Sequence, residues 1–334
     1  MLLSLFCGAG GLDLGFERAG FEISLAFDKK KDGVSSYNLN RGHARTAYCQ
    51  DIRQLTLDRL DELHGGTFAP IGVIGGPPCQ SFSQATHRSP DDDPRHELPL
   101  VYASLLRRLN ARTPVSFFVM ENVPGLTRGK HAQRFAKMKR AFKRAGFSVF
   151  EQTLNASDYN TPQNRERIFL VGLNRRTLPK KLWVAPMPST ADPAQVTVRS
   201  AIEGLAEPKY FERGAERGMF PEHPNHWCMQ PKSVKFSTPG ALTPGRRGGR
   251  SFKTLAWDQP SYTIAFGNRE VHIHPECHRR LSVYEAMRLQ GFPHEYVLTG
   301  TMSSQFNQVS EAVPPPLAEA VAGSLRSLLD GAVG

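Results

Sequence analysis

Short apolar runs recur through the first 175 residues, with helical patterns between them. LLSLF (2–6), EISLAF (22–27), TAYC (46–49), IGVI (71–74), SFFVM (116–120), FSVFEQTL (147–154) and RIFLVGL (167–173) read as strands. ELPLVYASLLRRL places Leu98, Tyr102, Leu105 and Leu109 on one helical face. RFAKMKRAFKRAG does the same with Phe135, Met138, Phe142 and Ala145, and Gly146 suits its C-terminal cap. The lysines and arginines of that helix read most simply as a solvated face. Strand–helix alternation predicts an α/β fold with a parallel-type sheet covered on both sides. The pattern dissolves near residue 175. From there to about 275 the chain is rich in Pro, Gly, Arg and His, and TPGALTPGRRGGRSFK (238–253) is its most basic part. A separate small domain is expected there. Helical character returns in SVYEAMRLQGF (282–292) and PPLAEAVAGSLRSLL (315–329).

The length of 334 residues suits two domains better than one core. No apolar run reaches membrane-spanning length, so no membrane partner is expected. The opening MLLSLFCGAGGLDLGF lacks a basic leader and runs at once into glycines and Asp13, which reads as a folded strand. Five cysteines, odd in number and widely spread, argue against a disulfide framework and for a reducing, cytoplasmic setting. The formal charge of +11 suits a polyanion such as nucleic acid, and suits plain solubility equally.

Two stretches carry candidate chemistry. LSLFCGAGGLDLG is a strand, a glycine turn and a helix start, but Asp13 stands where a dinucleotide fingerprint needs its third glycine. That disfavours a pyrophosphate and leaves a backbone able to approach a nucleoside. Asp28 ends the second strand about 20 residues on, the spacing of a ribose-hydroxyl acceptor. Asp51 follows the third strand and can accept from an adenine amino group. Either could instead simply begin a loop. In VIGGPPCQSFSQA (73–85) an apolar strand ends in two glycines and two prolines before a lone Cys79. Proline fixes the backbone and donates no N–H, so this loop holds one thiol in place.

FCGAGG, GGPPCQSFS, MENVPGL, TPQNRERIFLVG, RRLSVYEAMRLQGFP and QVSEAVPPPLAEAVA occur in that order. Together they resemble the DNA (cytosine-5) methyltransferases of bacterial restriction–modification systems. The resemblance implies a Rossmann-like, S-adenosylmethionine-dependent sheet domain from residues 1–175 plus 276–334. A smaller, mostly irregular or β target-recognition domain would fill 176–275. It implies Cys79, Glu121, Arg165 and Arg167 as catalytic residues. Cofactor contacts would come from Phe6, Gly8, Ala9, Gly10, Gly11 and Leu12, from Asp28, Asp51, Ile52 and Pro78, and from Glu311, Ala312 and Val313. The cofactor would leave as S-adenosylhomocysteine. DNA contacts would come from Gln80, Ser81, Ser83 and Arg88 after the cysteine, from Asn122 and Gln163, and from Arg246, Arg247, Arg250 and Lys253 in the basic segment. The implied partners are double-stranded DNA and a cognate restriction endonuclease, with the enzyme a monomer.

The chemistry explains the residue types. Carbon-5 of cytosine is a poor nucleophile until a thiolate adds to carbon-6, and Cys79 is the natural attacking group. A carboxylic acid near ring nitrogen-3 assists that addition, which is the role the family gives Glu121. Gln163, Arg165 and Arg167 project to one side of an extended strand. A base inside a duplex is out of reach, so flipping is expected. One motif departs from the family pattern: Ser310-Glu311 replaces a Gly-Asn pair near the cofactor, where a side chain disfavours a left-handed backbone. The histidines and cysteines of EHPNHWC (222–228) and HIHPECH (272–278) lack regular zinc spacing, and no metal is expected. The enzyme would be the modification arm of a restriction–modification system or an orphan methyltransferase; an RNA (tRNA) methyltransferase and a DNA-binding protein with an impaired cofactor site are the alternatives.

Overall fold

The computed structural model describes residues 1–42, 45–78, 93–190, 192, 196–212, 220, 222–248, 252–264 and 272–331. Cys79, Gln80, Ser81, Ser83, Arg88 and Arg250 lie outside the described residues. The chain divides into two compact units: residues 1–154, 166–187 and 318–334 form one, and 155–165 with 188–317 the other.

The first unit is built on strands β1 (Leu2–Leu5), β2 (Ile23–Asp28), β3 (Ala47–Cys49), β4 (Gly72–Gly75), β5 (Phe117–Asn122), β6 (Phe147–Asn155) and, past the short β7 (Gln163–Asn164), β8 (Glu166–Asn174). Among the described residues they form a seven-stranded sheet in the order β3-β2-β1-β4-β5-β8-β6. β1 to β5 are mutually parallel and β8 runs antiparallel to β5. β1, β4 and β5 are buried along their whole length, as expected of strands covered on both faces. The helices are α1 (Gly11–Arg18), α2 (Lys31–Leu39), α3 (Leu57–His64), α4 (Leu98–Arg112) and α5 (Ala132–Arg144).

The apolar faces expected of α4 and α5 are the buried ones. Phe118 of β5 stacks on Phe142 at 4.2 Å between ring centres and meets Tyr102 and Phe147 edge-on. Such geometry adds about 0.5–1.5 kcal/mol per pair to the area buried. The Tyr102 hydroxyl reaches the Val73 and Val119 carbonyls at 2.8 and 3.1 Å, so its burial strands no polar atom. Gly172 is required: a Cβ there would stand 1.9 Å from the Phe118 ring. Gly146, at φ 107°, ends α5 as anticipated.

The second unit holds α6 (Val198–Ile202), β9 (Lys209–Tyr210), β10 (Trp227–Cys228), β11 (Arg247–Gly248), β12 (Phe252–Thr254), β13 (Ser261–Tyr262), β14 (His272–Ile273), α7 (Val283–Leu289) and α8 (Met302–Glu311). Its sheets are small: β9 with β10, β7 with β13, and β11-β12-β14. Buried polar side chains join these pieces. Asn225 exchanges hydrogen bonds with both main-chain groups of Leu298 at 2.8 and 2.9 Å. His226 bridges Ser282 and the Ala206 carbonyl, and the Trp227 indole donates to Gln305. These bonds place 276–317 with the second unit, whereas the motif order alone put the boundary at 275. The last helix, α9 (Pro315–Asp330), begins at that unit's end, and in the first unit its Ala318 packs on Gly15, where a Cβ would come within 2.4 Å.

Candidate active site

In the first unit the predicted residues gather at the carboxyl ends of the parallel strands, where open α/β sheets bind ligands. The glycine turn after β1 needs left-handed backbone at Phe6, Gly8 and Gly10 (φ 58°, 52° and 84°). A Cβ on Gly8 would meet nothing within 4 Å, so the turn presents an open face of bare backbone. Asp28, at the end of β2, accepts from the Gly8 N–H at 2.9 Å and the Lys30 N–H at 2.7 Å. Asp51 caps a short helical turn by accepting from the Arg53 N–H at 3.0 Å, with Ile52 buried behind it. Both aspartates thus hold the backbone at the start of their loops.

Sequence reasoning missed the support beneath this turn. Asp13 is fully buried and accepts from the Ser4 and Tyr37 hydroxyls, each at 2.8 Å. Burial pushes its carboxyl up to about 6, against the pull of Arg41. The Tyr37 ring lies where a Cβ on Gly10 would need to go, at 2.9 Å, and Arg41 covers that ring at 3.6 Å. The readable signal was the Asp itself, an ionisable residue on the apolar side of α1.

β4 and β5 end side by side. A Cβ on Gly75 would stand 2.6 Å from the Leu5 carbonyl oxygen, and one on Gly76 would stand 3.0 Å from Oε2 of Glu121. The two glycines before Pro77 and Pro78 thus serve close approach. Oε1 of Glu121 meets Nε of Arg167 at 2.8 Å, both side chains about one-tenth exposed. Asn122 donates to the Pro77 carbonyl at 3.1 Å, tying the Glu121 strand to the segment that leads into Cys79.

The second unit holds the other candidates. Arg165 is 1% exposed and donates to the carbonyls of Ser310 at 2.6 Å, Ala312 at 2.9 Å and Ile264 at 3.4 Å. Gln163 binds Gln290 at 2.9 Å. The alternating QNRER pattern is therefore interrupted: β7 pairs with β13, and β8 with β5. At the departing motif, α8 runs through Ser310 and Glu311, neither with positive φ, and the Ser310 hydroxyl donates to the Asn307 carbonyl. The side chains are absorbed by extending a helix. Glu311 is exposed and Val313 buried.

Arg246 is exposed, and Lys253 sits opposite Arg247 across β11 and β12. Nearby, Arg280 and Lys235 lie 5.0 and 4.7 Å from the Phe252 ring centre, a cationic–aromatic group the basic-run reading did not include. Arg279 and Glu285 form a doubly hydrogen-bonded pair, 2% and 1% exposed. Burial opposes the Glu285 charge, but Arg279 wins and holds its carboxyl below the usual range. Ligand-capable atoms of His274, Glu276 and His278 come within 4.8 Å of one another, and the His278 ring already meets Glu207 at 3.2 Å.

Solved structures share this architecture. An E. coli prophage DNA modification methyltransferase aligns with a TM-score of 0.79 at 24% identity, covering 98% of this chain and 99% of that one. S. pombe Dnmt2 methyltransferase aligns at 0.65 and 19%, covering 99% and 98%. The mixed α/β architecture with its large, mostly parallel sheet is a methyltransferase fold. The chain belongs to the family described as C-5 cytosine-specific DNA methylases, whose profile matches residues 1–327. It is 33% identical to the Type II methyltransferase M.MthTI of Methanothermobacter thermautotrophicus, over 99% of this chain and 98% of that protein. It is 31% identical to M.FnuDI of Fusobacterium nucleatum, over 98% and 94%. The protein is a DNA (cytosine-5) methyltransferase.

Proposed function

We propose that the enzyme methylates carbon-5 of a flipped-out cytosine at a specific duplex sequence, through a covalent bond from Cys79 to carbon-6, as the modification arm of a restriction–modification system. The observation that carries this reading is the Glu121–Arg167 pair, held at the strand end beside Gly76 and tied by Asn122 to the segment entering Cys79.

The open glycine face, with Asp28 placed to accept from a ribose hydroxyl and Asp51 from an adenine amino group, fits a nucleoside. Phe6, Gly8 to Leu12, Asp28, Asp51, Ile52 and Pro78 would hold S-adenosylmethionine, which supplies an electrophilic methyl on a sulfonium. Cys79 adds as thiolate to carbon-6, and the ring electrons move toward nitrogen-3. Glu121 places a proton at that nitrogen, with Arg167 fixing the orientation of the carboxyl. After carbon-5 is methylated, a base removes its proton and the cysteine sulfur leaves, restoring the aromatic ring. Arg165 acts as a positioning residue through its bonds to 264, 310 and 312. The segment 176–275, with Arg246, Arg247, Arg250, Lys253 and Lys235, reads the target together with Arg280 just beyond it. No metal enters this scheme.

The test is transfer of labelled methyl from S-adenosylmethionine to duplex DNA and to tRNA in parallel, with hydrolysis to nucleosides. The expected product is 5-methyldeoxycytidine, confined to one sequence context and formed at the same rate in chelator. Label in tRNA alone, or in no nucleic acid, contradicts the proposal.

A further inference from the structure

We infer that the first unit carries a second, sequence-independent DNA-backbone surface, on the edge of the sheet opposite the Glu121–Arg167 site. The inference rests on the duplex-DNA reading above.

Seven exposed cations meet there: Arg140, Lys143 and Arg144 on α5, and Arg175, Arg176, Lys180 and Lys181 on the turn that follows β8. Hydrogen bonds fix the two segments together. The Arg175 N–H donates to the Gly146 carbonyl at 3.1 Å, and its guanidinium to the Lys143 carbonyl at 2.7 Å. Arg176 donates to the Asn110 carbonyl at the end of α4. Arg175 and Arg176 thus satisfy helix C-terminal carbonyls, where cations are favoured. Among the described residues none of the seven has a carboxylate within ion-pairing distance, whereas the neighbouring Lys139 pairs with Glu151 at 2.8 Å.

A face built only for solubility mixes both signs. One sign gathered from separate segments repels itself until a polyanion covers it, and the polyanion this enzyme always meets is duplex DNA. The register sets the distance. Leu173 pairs with Phe117 and Phe169 with Glu121. Four residues of strand rise, about 13 Å, therefore separate the two levels, and the basic turn lies beyond the far one. A duplex engaged at Glu121 leaves this edge available for a second segment of the same long DNA.

The test compares the full-length enzyme with the variant Arg140→Gln, Lys143→Gln, Arg144→Gln, Lys180→Gln, which keeps both capping arginines. On long DNA the variant should bind about tenfold more weakly at moderate salt, and the slope of log affinity against log salt should flatten by about 2 to 4. Single-turnover methylation of a short duplex just covering the target should stay within about twofold. An unchanged slope on long DNA, as expected if the patch receives an acidic protein instead, overturns the proposal. Equal losses on short and long DNA also overturn it, because the patch then belongs to the catalytic docking surface. Failure of the unaltered enzyme to methylate any duplex removes the functional reading, and this proposal with it.

Discussion

Each unit of the enzyme buries an arginine against a glutamate, and the two pairs do different work. In the first unit Nε of Arg167 meets Oε1 of Glu121 at a strand end, with both side chains still about one-tenth exposed. Around them the core is apolar, with Phe118, Phe142 and Tyr102 filling the space between sheet and helices. In the second unit Arg279 grips Glu285 twice and also reaches Glu207, with almost no exposure. Around that pair the interior is polar, with the side chains of Asn225, His226 and Gln305 bonding to main-chain carbonyls. The contrast sets a pair beside an apolar core, to which the proposed mechanism gives a chemical role, against a pair that lies inside a polar core.

The sharpest way to break this contrast is Glu121→Gln. The account expects methyl transfer to fall by about 10²–10⁴, the range for losing a positioned acid, with unfolding unchanged within about 1 kcal/mol. Single-turnover kinetics and denaturant unfolding of the same preparation decide it; a rate near wild type contradicts the role. Next in size is Arg279→Ala, which leaves a buried charge and should cost about 3–5 kcal/mol. Arg279→Met with Glu285→Leu should recover most of that loss in denaturant unfolding. If the double variant is as unstable as the single, the pair is more than a structural strut.

A smaller effect tests the support under the glycine turn. Asp13 moves from 3.8 to about 6 on folding. The folded chain therefore holds a proton between those values that the unfolded chain releases, and this residue makes the fold less stable as pH rises through about 6. Relative to Asp13→Asn, wild type should gain up to about 3 kcal/mol between pH 7 and pH 4. The groups facing Asp13 are Ser4, Tyr37, Arg41, Glu17 and Cys7. A stability difference independent of pH, measured by denaturant titration across that range, contradicts this assignment.

The same contrast explains what could be read from the sequence. The seven expected strands are the seven of the main sheet, and Tyr102, Leu105, Phe135, Met138 and Phe142 are buried on the faces their spacing assigned. Apolar periodicity reports packing against a sheet, so it works where packing dominates. α2 escaped notice because KDGVSSYNL carries glycine and serines, and its place is held by Tyr37 reaching Asp13 and by Gly33 lying against Gly8. α8 was obscured because its sequence was read through a glycine motif that this chain lacks. The placement of 276–317 in the second unit goes with Asn225, His226 and Trp227 meeting residues 56 to 78 positions away. Side-chain hydrogen bonds over such separations leave no period in the sequence. Candidate residues could be proposed at strand ends and in the glycine turn because those features are local, whereas Asp13 shows its surroundings only when Ser4 and Tyr37 close over it.

The central claim is a transient bond between Cys79 and the target base, assisted by Glu121. It is tested most directly with a duplex carrying 5-fluorocytosine at a position the enzyme is shown to methylate. Fluorine cannot leave carbon-5 as the proton does, so the adduct should persist through denaturing electrophoresis, carry the transferred methyl, and vanish with Cys79→Ala. A verified target that yields no adduct with active enzyme, or an adduct that survives Cys79→Ala, contradicts the account.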